Sequence, residues 1–313
     1  MVMASLGSVF RPGMLRGRTA IVTGGATGIG RAIARELLDL GCRVMIASRN
    51  EERLTDALSG FRQSVGQSRS SDIQATVCNI RKEDQVKDLV SNTLMTYGGL
   101  DFLVNNGGGQ FRSPASDISY KGWHAVVDTN LNGTFLCSKE VFNQHMKYYG
   151  GSIVNIIADM WKGFPGVTHT GAARAAVDNM TKSLSIEWAE NGVRINSVAP
   201  GKIWSETASE NYKKVNPKYF EDQIPGIPMC RLGTPAEISS AVCFLLSPGA
   251  NFITGATLNV DGGGSLYSQL SWKVPVHNSM PAYTWEGDAQ PPSNPDIEAE
   301  KKKADVTFEE IVV

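Results

Sequence analysis

From Thr19 to about Asp261 the apolar positions alternate between two periods. Short runs rich in β-branched residues, "TAIVTGG", "RVMIAS", "IQATVCN", "DFLVNN", "GSIVNIIA", "VRINSVAPG" and "ATLNVDGG", are separated by longer stretches whose apolar residues recur every three or four positions. A run that is apolar at successive positions has no solvated side, so each predicts a strand buried on both faces. Seven such strands with helices between them predict one α/β domain: a doubly wound, seven-stranded parallel sheet with helices on both faces.

The helices are legible in the same way. Ile29, Ile33, Leu37 and Leu40 fall at helical spacing while Arg31, Arg35 and Asp39 fall elsewhere, and Gly41 is placed to end that helix in a left-handed turn. Val177, Met180, Leu184 and Trp188 form a second stripe and predict a packed helix over 173–190, starting near Ala172. Two stretches lack either period. Residues 202–229 mix aromatics, charges and prolines, as a lid or substrate loop does. Residues 269–313 contain "DAQPPSNPDIEAEKKK" and predict an extended, largely solvated tail. The expected organisation is a leader over 1–18, a single domain over 19–268 that includes the loop, and the tail.

Composition narrows the chemistry. A chain of 313 residues that is 42% hydrophobic can bury a sizeable core. Its 30 Lys and Arg against 31 Asp and Glu leave a formal charge of -1, which offers no general field to nucleic acid or an anionic membrane. Cys42, Cys78, Cys137, Cys230 and Cys243 show no Cys-x-x-Cys spacing and read as buried thiols in a reducing compartment. The four histidines lack the i, i+4 spacing of a helical metal pair, so no metal site is expected. No apolar run is long enough to span a bilayer. Residues 1–18 carry Arg11, Arg16 and Arg18 and no acid, a composition shared by short mitochondrial presequences and by frayed leaders.

"VTGGATGIGR", residues 22–31, follows the first strand and opens the first helix. Thr23 closes the strand; Gly24, Gly28 and Gly30 permit a tight turn that brings backbone N–H groups, that of Ile29 among them, close to a pyrophosphate at the positive end of the helix. Between a strand and a helix this trio marks a Rossmann-type dinucleotide site. Roughly 20 positions on, Ser48 and Arg49 stand where an NAD-binding chain carries an acid. A carboxylate there would repel a 2'-phosphate, whereas Arg49 offers it a permanently charged fork, with Arg53 one turn later, so the expected cofactor is NADP(H). Asn79 and Ile80 are placed for the adenine, Asn106, Gly107 and Gly108 for the ribose, and Pro200, Gly201 and Ile203 for the nicotinamide. All follow carboxyl ends of strands, where such sheets bind ligands.

With these pieces the chain resembles the short-chain dehydrogenase/reductases: Thr-Gly-x-x-x-Gly-x-Gly at Thr23 to Gly30, Asn-Asn-x-Gly at Asn105 to Gly108, Asn130 on the next helix, and Pro200-Gly201. The resemblance covers about residues 17–265. Within that family it is most similar to the peroxisomal trans-2-enoyl-CoA reductases, through "TGGATGIG", "NNGGGQF", "GWHAV", "GGSIVNII", "GAARA" and "CFLLSP", and next to the 2,4-dienoyl-CoA reductases. Most members keep a Ser and then Tyr-x-x-x-Lys; this chain has Ala158, Thr170 and Arg174 at those positions.

The resemblance implies NADPH-dependent reduction of the C2=C3 double bond of trans-2-enoyl-CoA thioesters. A 2,4-dienoyl-CoA reductase and a catalytically silent NADP(H)-binding protein are the alternatives. Carbonyl reduction generates an alkoxide that needs a placed proton donor. Conjugate reduction instead sends charge to the thioester oxygen, which preorganised hydrogen-bond donors stabilise. Four residues are the catalytic candidates. Asn130 survives from the family's set, and Arg174 can grip the ribose hydroxyls but cannot relay a proton. Thr170 either donates to the thioester oxygen or caps its helix. Asp159 protonates C2 if burial raises its pKa, or is an ordinary ionised loop aspartate. His169 is open to both a proton-source and a structural role.

Arg112, Lys121, Lys202, Lys213, Lys214 and Lys218 lie on segments that border the site mouth, where some can meet CoA phosphates and most read as solvated charges. The resemblance also implies a fatty acyl-CoA substrate, a homo-oligomer, commonly a tetramer, and an intracellular, peroxisomal location. The chain ends Ile311, Val312, Val313 rather than in a Ser-Lys-Leu-like address, which leaves mitochondrion and cytosol open.

Overall fold

The computed structural model describes residues 8–213, 216–268, 272–285, 287–292, 294, 295 and 297. Seven strands, β1 Thr19–Thr23, β2 Arg43–Ser48, β3 Ile73–Val77, β4 Phe102–Asn105, β5 Gly151–Ile156, β6 Val193–Pro200 and β7 Thr257–Val260, pair in parallel in the order β3-β2-β1-β4-β5-β6-β7. Parallel strands cannot be joined by hairpins, and the crossovers carry the helices. These are α1 Gly28–Asp39, α2 Glu51–Val65, α3 Glu83–Tyr97, α4 Tyr120–Val127, α5 Gly133–Val141, α6 Lys147–Tyr149, α7 Thr168–Glu187, α8 Glu206–Lys213 and α9 Pro235–Leu246.

The period of two decides which layer each strand residue joins. On β1, Ala20 and Val22 pack with α1, α2 and α9 through Ile33, Leu54 and Val242, while Ile21 packs on the opposite face with Leu89, Val141 and Leu184. Ile21 also lies between Met45 and Leu103 in the sheet. Each such side chain fully removed from water contributes roughly 1.5–3 kcal/mol before entropy is counted. The order reverses at β1, whose neighbours are β2 and β4, and the crevice above that point is where a doubly wound sheet takes its ligand. Gly41, at φ +88, turns the chain after α1 as the sequence predicts. All five cysteines are free and buried. No helix among the described residues is long and apolar enough to cross a membrane.

One expectation is corrected and two are sharpened. The helix expected from Ala172 begins at Thr168, so Thr170 sits inside its first turn and caps nothing; no side-chain cap closes that end. Residues 202–229 are more regular than their lack of period suggests. They form α8 and a 3-10 turn at Glu221–Gly226, steadied by Tyr212 stacked on Tyr219 with centroids 4.2 Å apart. The described part of the tail has no long helix or strand and is mostly exposed, but it is anchored at one place. Trp285 is buried with Ala32 and Ala236, Arg35 lies 4.7 Å over its ring, and Arg35 also pairs with Asp288 at 2.8 Å. Thr234 donates to the carbonyl of Tyr283 at 2.6 Å. Proline excludes regular hydrogen bonding but not aromatic anchoring, so composition does not reveal this one anchor. Leader residues are also tied down: Leu15 is buried, and Ser8 donates to Glu36 at 2.7 Å. The final residues of the tail, from 298, and residues 1–7 lie outside the described residues.

Candidate active site

The cleft is assembled first by backbone. Gly24 and Gly28 adopt φ +65 and +53 between β1 and α1. A Cβ on Gly30 would lie 2.3 Å from the Gly24 carbonyl oxygen, so the turn closes only with glycine there. Thr23 locks this turn to β4: its hydroxyl donates to the Val104 carbonyl and accepts from the N–H groups of Asn106 and Gly107 at 3.0 and 2.9 Å. The Asn106 amide donates to the carbonyls of Thr23 and Gly24, which makes it a clamp on the glycine turn rather than a free ribose ligand. Gly107 packs against Ile80, which also fills the space beside Gly133.

At the adenosine end, Ser48 and Arg49 lie at the carboxyl end of β2, and Arg53 lies in the first turn of α2, where Asn50 caps the helix by accepting from the Arg53 N–H. Arg49 and Arg53 are exposed and make no ion pair among the described residues. Two unpaired guanidinium groups with no acid beside the strand end suit a 2'-phosphate, and the glycine cradle suits a pyrophosphate. These residues therefore fit NADP(H). Asn79 follows β3, with its N–H held by Gln85 at 2.8 Å.

At the other end, a cavity of about 310 Å³ joins the ends of β4, β5 and β6 to the first turns of α7. Ile29, Gly108, Asn130, Asp159, Thr170, Arg174, Pro200, Gly201 and Ile203 are among the residues that line it. Asn130 is fully buried in a π-helical turn at Asp128–Asn132, and both ends of its amide are bonded to the backbone of Gly109 at 2.9 Å. Its part is to hold the loop after β4. Arg174 is buried, donates to the Ile156 carbonyl at 2.6 Å, and comes so near Gly108 that a Cβ there would meet its terminal nitrogen at 2.2 Å. Burial without a carboxylate partner lowers its pKa to about 10.

Thr170 is 3% exposed, and its hydroxyl has no hydrogen-bond partner among the described residues although it lines the cavity. An unmade bond to a buried hydroxyl costs on the order of 1–3 kcal/mol, which a ligand oxygen would restore. His169 is turned away: Nδ1 accepts from the Thr170 N–H at 2.9 Å, and the ring meets Phe111 edge-on at 4.5 Å. Asp159 is half-buried, with its N–H bonded to the Pro200 carbonyl at 3.1 Å. Burial raises its pKa and Asp261 adds to the rise, while Lys202 and Lys162 oppose it.

A second cavity, of about 350 Å³, opens beside the first under α8 and the 3-10 turn. Gln110, Phe164, Tyr212 and Tyr219 line it, none of them a predicted site residue; for the two tyrosines the only signal was aromatics in a stretch without a period. Of the six border cations, Arg112 and Lys202 line this cavity. Lys121 and Lys218 are exposed elsewhere, and Lys214 with the side chain of Lys213 lies outside the described residues. No cluster of three His, Cys, Asp or Glu suited to a metal is present among the described residues.

Comparison with known proteins agrees with this architecture. The family described as enoyl-(acyl carrier protein) reductase matches residues 24–265. Peroxisomal 2,4-dienoyl-CoA reductase from Danio rerio is 36% identical over 263 residues, covering 83% of this chain and 85% of that protein. The citronellol catabolism dehydrogenase AtuB of Pseudomonas aeruginosa PAO1 is 44% identical with a TM-score of 0.72, covering 82% of this chain and 99% of that one. An actinorhodin polyketide ketoreductase variant solved with NADPH is 31% identical with a TM-score of 0.73, covering 80% and 98%. With its sheet order, glycine cradle and strand-end motifs matched over most of its length, the chain belongs to the short-chain dehydrogenase/reductase family of oxidoreductases.

Proposed function

We propose that this protein catalyses the NADPH-dependent reduction of the C2=C3 double bond of trans-2-enoyl-CoA thioesters to saturated acyl-CoA. The observation that carries this reading is the buried, unpartnered Thr170 hydroxyl, in a cavity where Ala158 and Arg174 replace serine and lysine. When bound, NADPH supplies a hydride to the β-carbon of the thioester. The N–H groups of the glycine turn hold the pyrophosphate, and Arg49 with Arg53 meets the 2'-phosphate. Arg174 keeps its proton and fixes a positive charge beside Gly108, where the missing side chain allows close approach. Thr170 donates to the thioester oxygen, which gains charge as the double-bond pair shifts. Tyr212 and Tyr219 cover the acyl group and exclude water.

A second reading, reduction of 2,4-dienoyl-CoA, draws on the likeness to the zebrafish enzyme of that name and uses the same donors. NADPH oxidation by the purified protein, followed with trans-2-enoyl-CoA of several lengths, a 2,4-dienoyl-CoA and NADH as control, separates the cases. Saturated acyl-CoA formed with NADPH is the expected product. Turnover of the dienoyl substrate alone would favour the second reading, and tight NADPH binding with no turnover would mark a silent binding protein.

A further inference from the structure

Arg174 gives the reaction no proton from its place on α7, because a guanidinium does not give up its proton at neutral pH, and His169 on the same helix does not line the cavity. Asp159 lines both cavities and burial raises its pKa, but Lys202 and Lys162 beside it draw it back towards the carboxylate, and the other proton-bearing groups there are engaged or unsuited. Lys162 donates to the Tyr267 carbonyl at 2.7 Å, and Arg112 is spread over the Tyr219 ring at 5.4 Å. Tyr212 accepts from the Gln110 amide and lies stacked on Tyr219 in the lid, and Thr170 is an alcohol, far too weak an acid. Lys202 remains. It lines both cavities, and it also lines a third of about 330 Å³ between Ile203 and Gly263.

Its position is built by backbone on three sides. The Asp159 N–H bonds to Pro200, the Gly201 N–H bonds to Val260 at 3.0 Å, and the Lys202 carbonyl accepts from Gly233 at 2.9 Å. The side chain is half-buried, with Nζ 5.5 Å from the Phe164 ring centroid. Among the described residues its ammonium has no hydrogen-bond acceptor or ion-pair partner in contact, so all of its donors are available to a ligand.

We propose that Lys202 is the general acid that delivers the proton to C2, an inference that rests on the conjugate-reduction reading of this site. Once hydride has joined C3, the former double-bond pair resides on the thioester enolate. That pair forms the new C2–H bond with a proton of the Lys202 ammonium, whose N–H electrons stay on nitrogen as a neutral amine. Water entering the third cavity returns the proton. Burial pulls the Lys202 pKa down from the usual lysine range, with Asp159 pulling the other way and Arg112 adding to the fall. A depressed ammonium is a stronger acid, which suits the role. The charged and titratable groups around it are Asp159 and Lys162 after β5, Arg112 after β4, Asp261 after β7, Tyr212 and Tyr219 from the lid, and the Arg231–Glu237 pair at α9. The last two bond each other at 2.6 Å and leave Lys202 uncompensated by Glu237.

The test compares the unmodified enzyme with Lys202→Met and Lys202→Arg, measuring NADPH affinity by fluorescence titration and kcat on a trans-2-enoyl-CoA from pH 6 to pH 10. Both variants are expected to bind NADPH and to lose about 100-fold or more in kcat, the usual worth of a placed acid. The unmodified enzyme loses rate as pH rises through the Lys202 pKa, and that limb vanishes in both variants. Lys202→Arg at full rate would overturn the inference in favour of a simple charge effect. So would an unmodified enzyme with no basic limb, a result that needs no variant to fold. Absence of any enoyl-CoA turnover by the unmodified enzyme would instead overturn the reading of the site, and the inference with it.

Discussion

The two ends of the cleft differ in how their polar atoms are satisfied. At the dinucleotide end, Thr23, Gly24, Asn106 and Gly107 bond one another, and the turn is complete before any ligand arrives. At the reaction end, Asn130 and one nitrogen of Arg174 are committed to backbone, but the Thr170 hydroxyl and the Lys202 ammonium are not. A closed network costs nothing to leave empty, whereas an orphaned buried hydroxyl is a standing penalty that a ligand relieves. The first region thus sets position and the second is held ready for chemistry.

The sharpest way to break this contrast is at the closed end. Gly30→Val would drive a side chain into the Gly24 carbonyl and the Asn106 amide, and overpacking of that kind costs about 1–3 kcal/mol or more. NADPH binding is expected to fall by about 100-fold or beyond, read by fluorescence titration. Retained affinity would mean that the cradle is looser than its contacts imply. At the open end, Thr170→Val keeps the shape and removes only the hydroxyl. Its kcat on the thioester should fall about 100-fold while NADPH affinity holds, as for loss of one oxyanion donor. A change in affinity with unaltered kcat would place Thr170 among the cofactor contacts instead. The smallest effect is expected at the exposed rim, where Arg49→Ala should weaken NADPH about 10-fold and leave NADH unchanged. Equal weakening of both would show that Arg49 does not read the 2'-phosphate.

Legibility in the sequence follows the same division. The glycine turn is local: three glycines between a strand and a helix dictate one backbone path, and Gly24, Gly28 and Gly30 take it. The strands are equally local, since a run buried on both faces has no polar position to interrupt it. Thr170 is also found, but its start-of-helix setting misleads, because α7 begins two residues earlier, at Thr168. Lys202 reads as one border charge among six, and nothing in "PGKIWS" tells it from Lys218. Trp285 sits in a proline-rich stretch that looks solvated, and only its burial beside Ala32 and Ala236 reveals an anchor.

By itself the sequence determined the strand runs and the dinucleotide turn, because each depends on spacing within about ten residues; their alternation along the chain gave the doubly wound sheet, and the resemblance gave the loss of the tyrosine and lysine. The tertiary structure alone decided which side chains share the reaction cavity. Asp159, Thr170, Arg174 and Lys202 come from the ends of β5 and β6 and from α7, and they meet because parallel strands deliver their carboxyl ends to one edge. Whether each then finds a partner depends on neighbours distant in the chain, and burial without a partner is the property that separates a reactive group from a structural one.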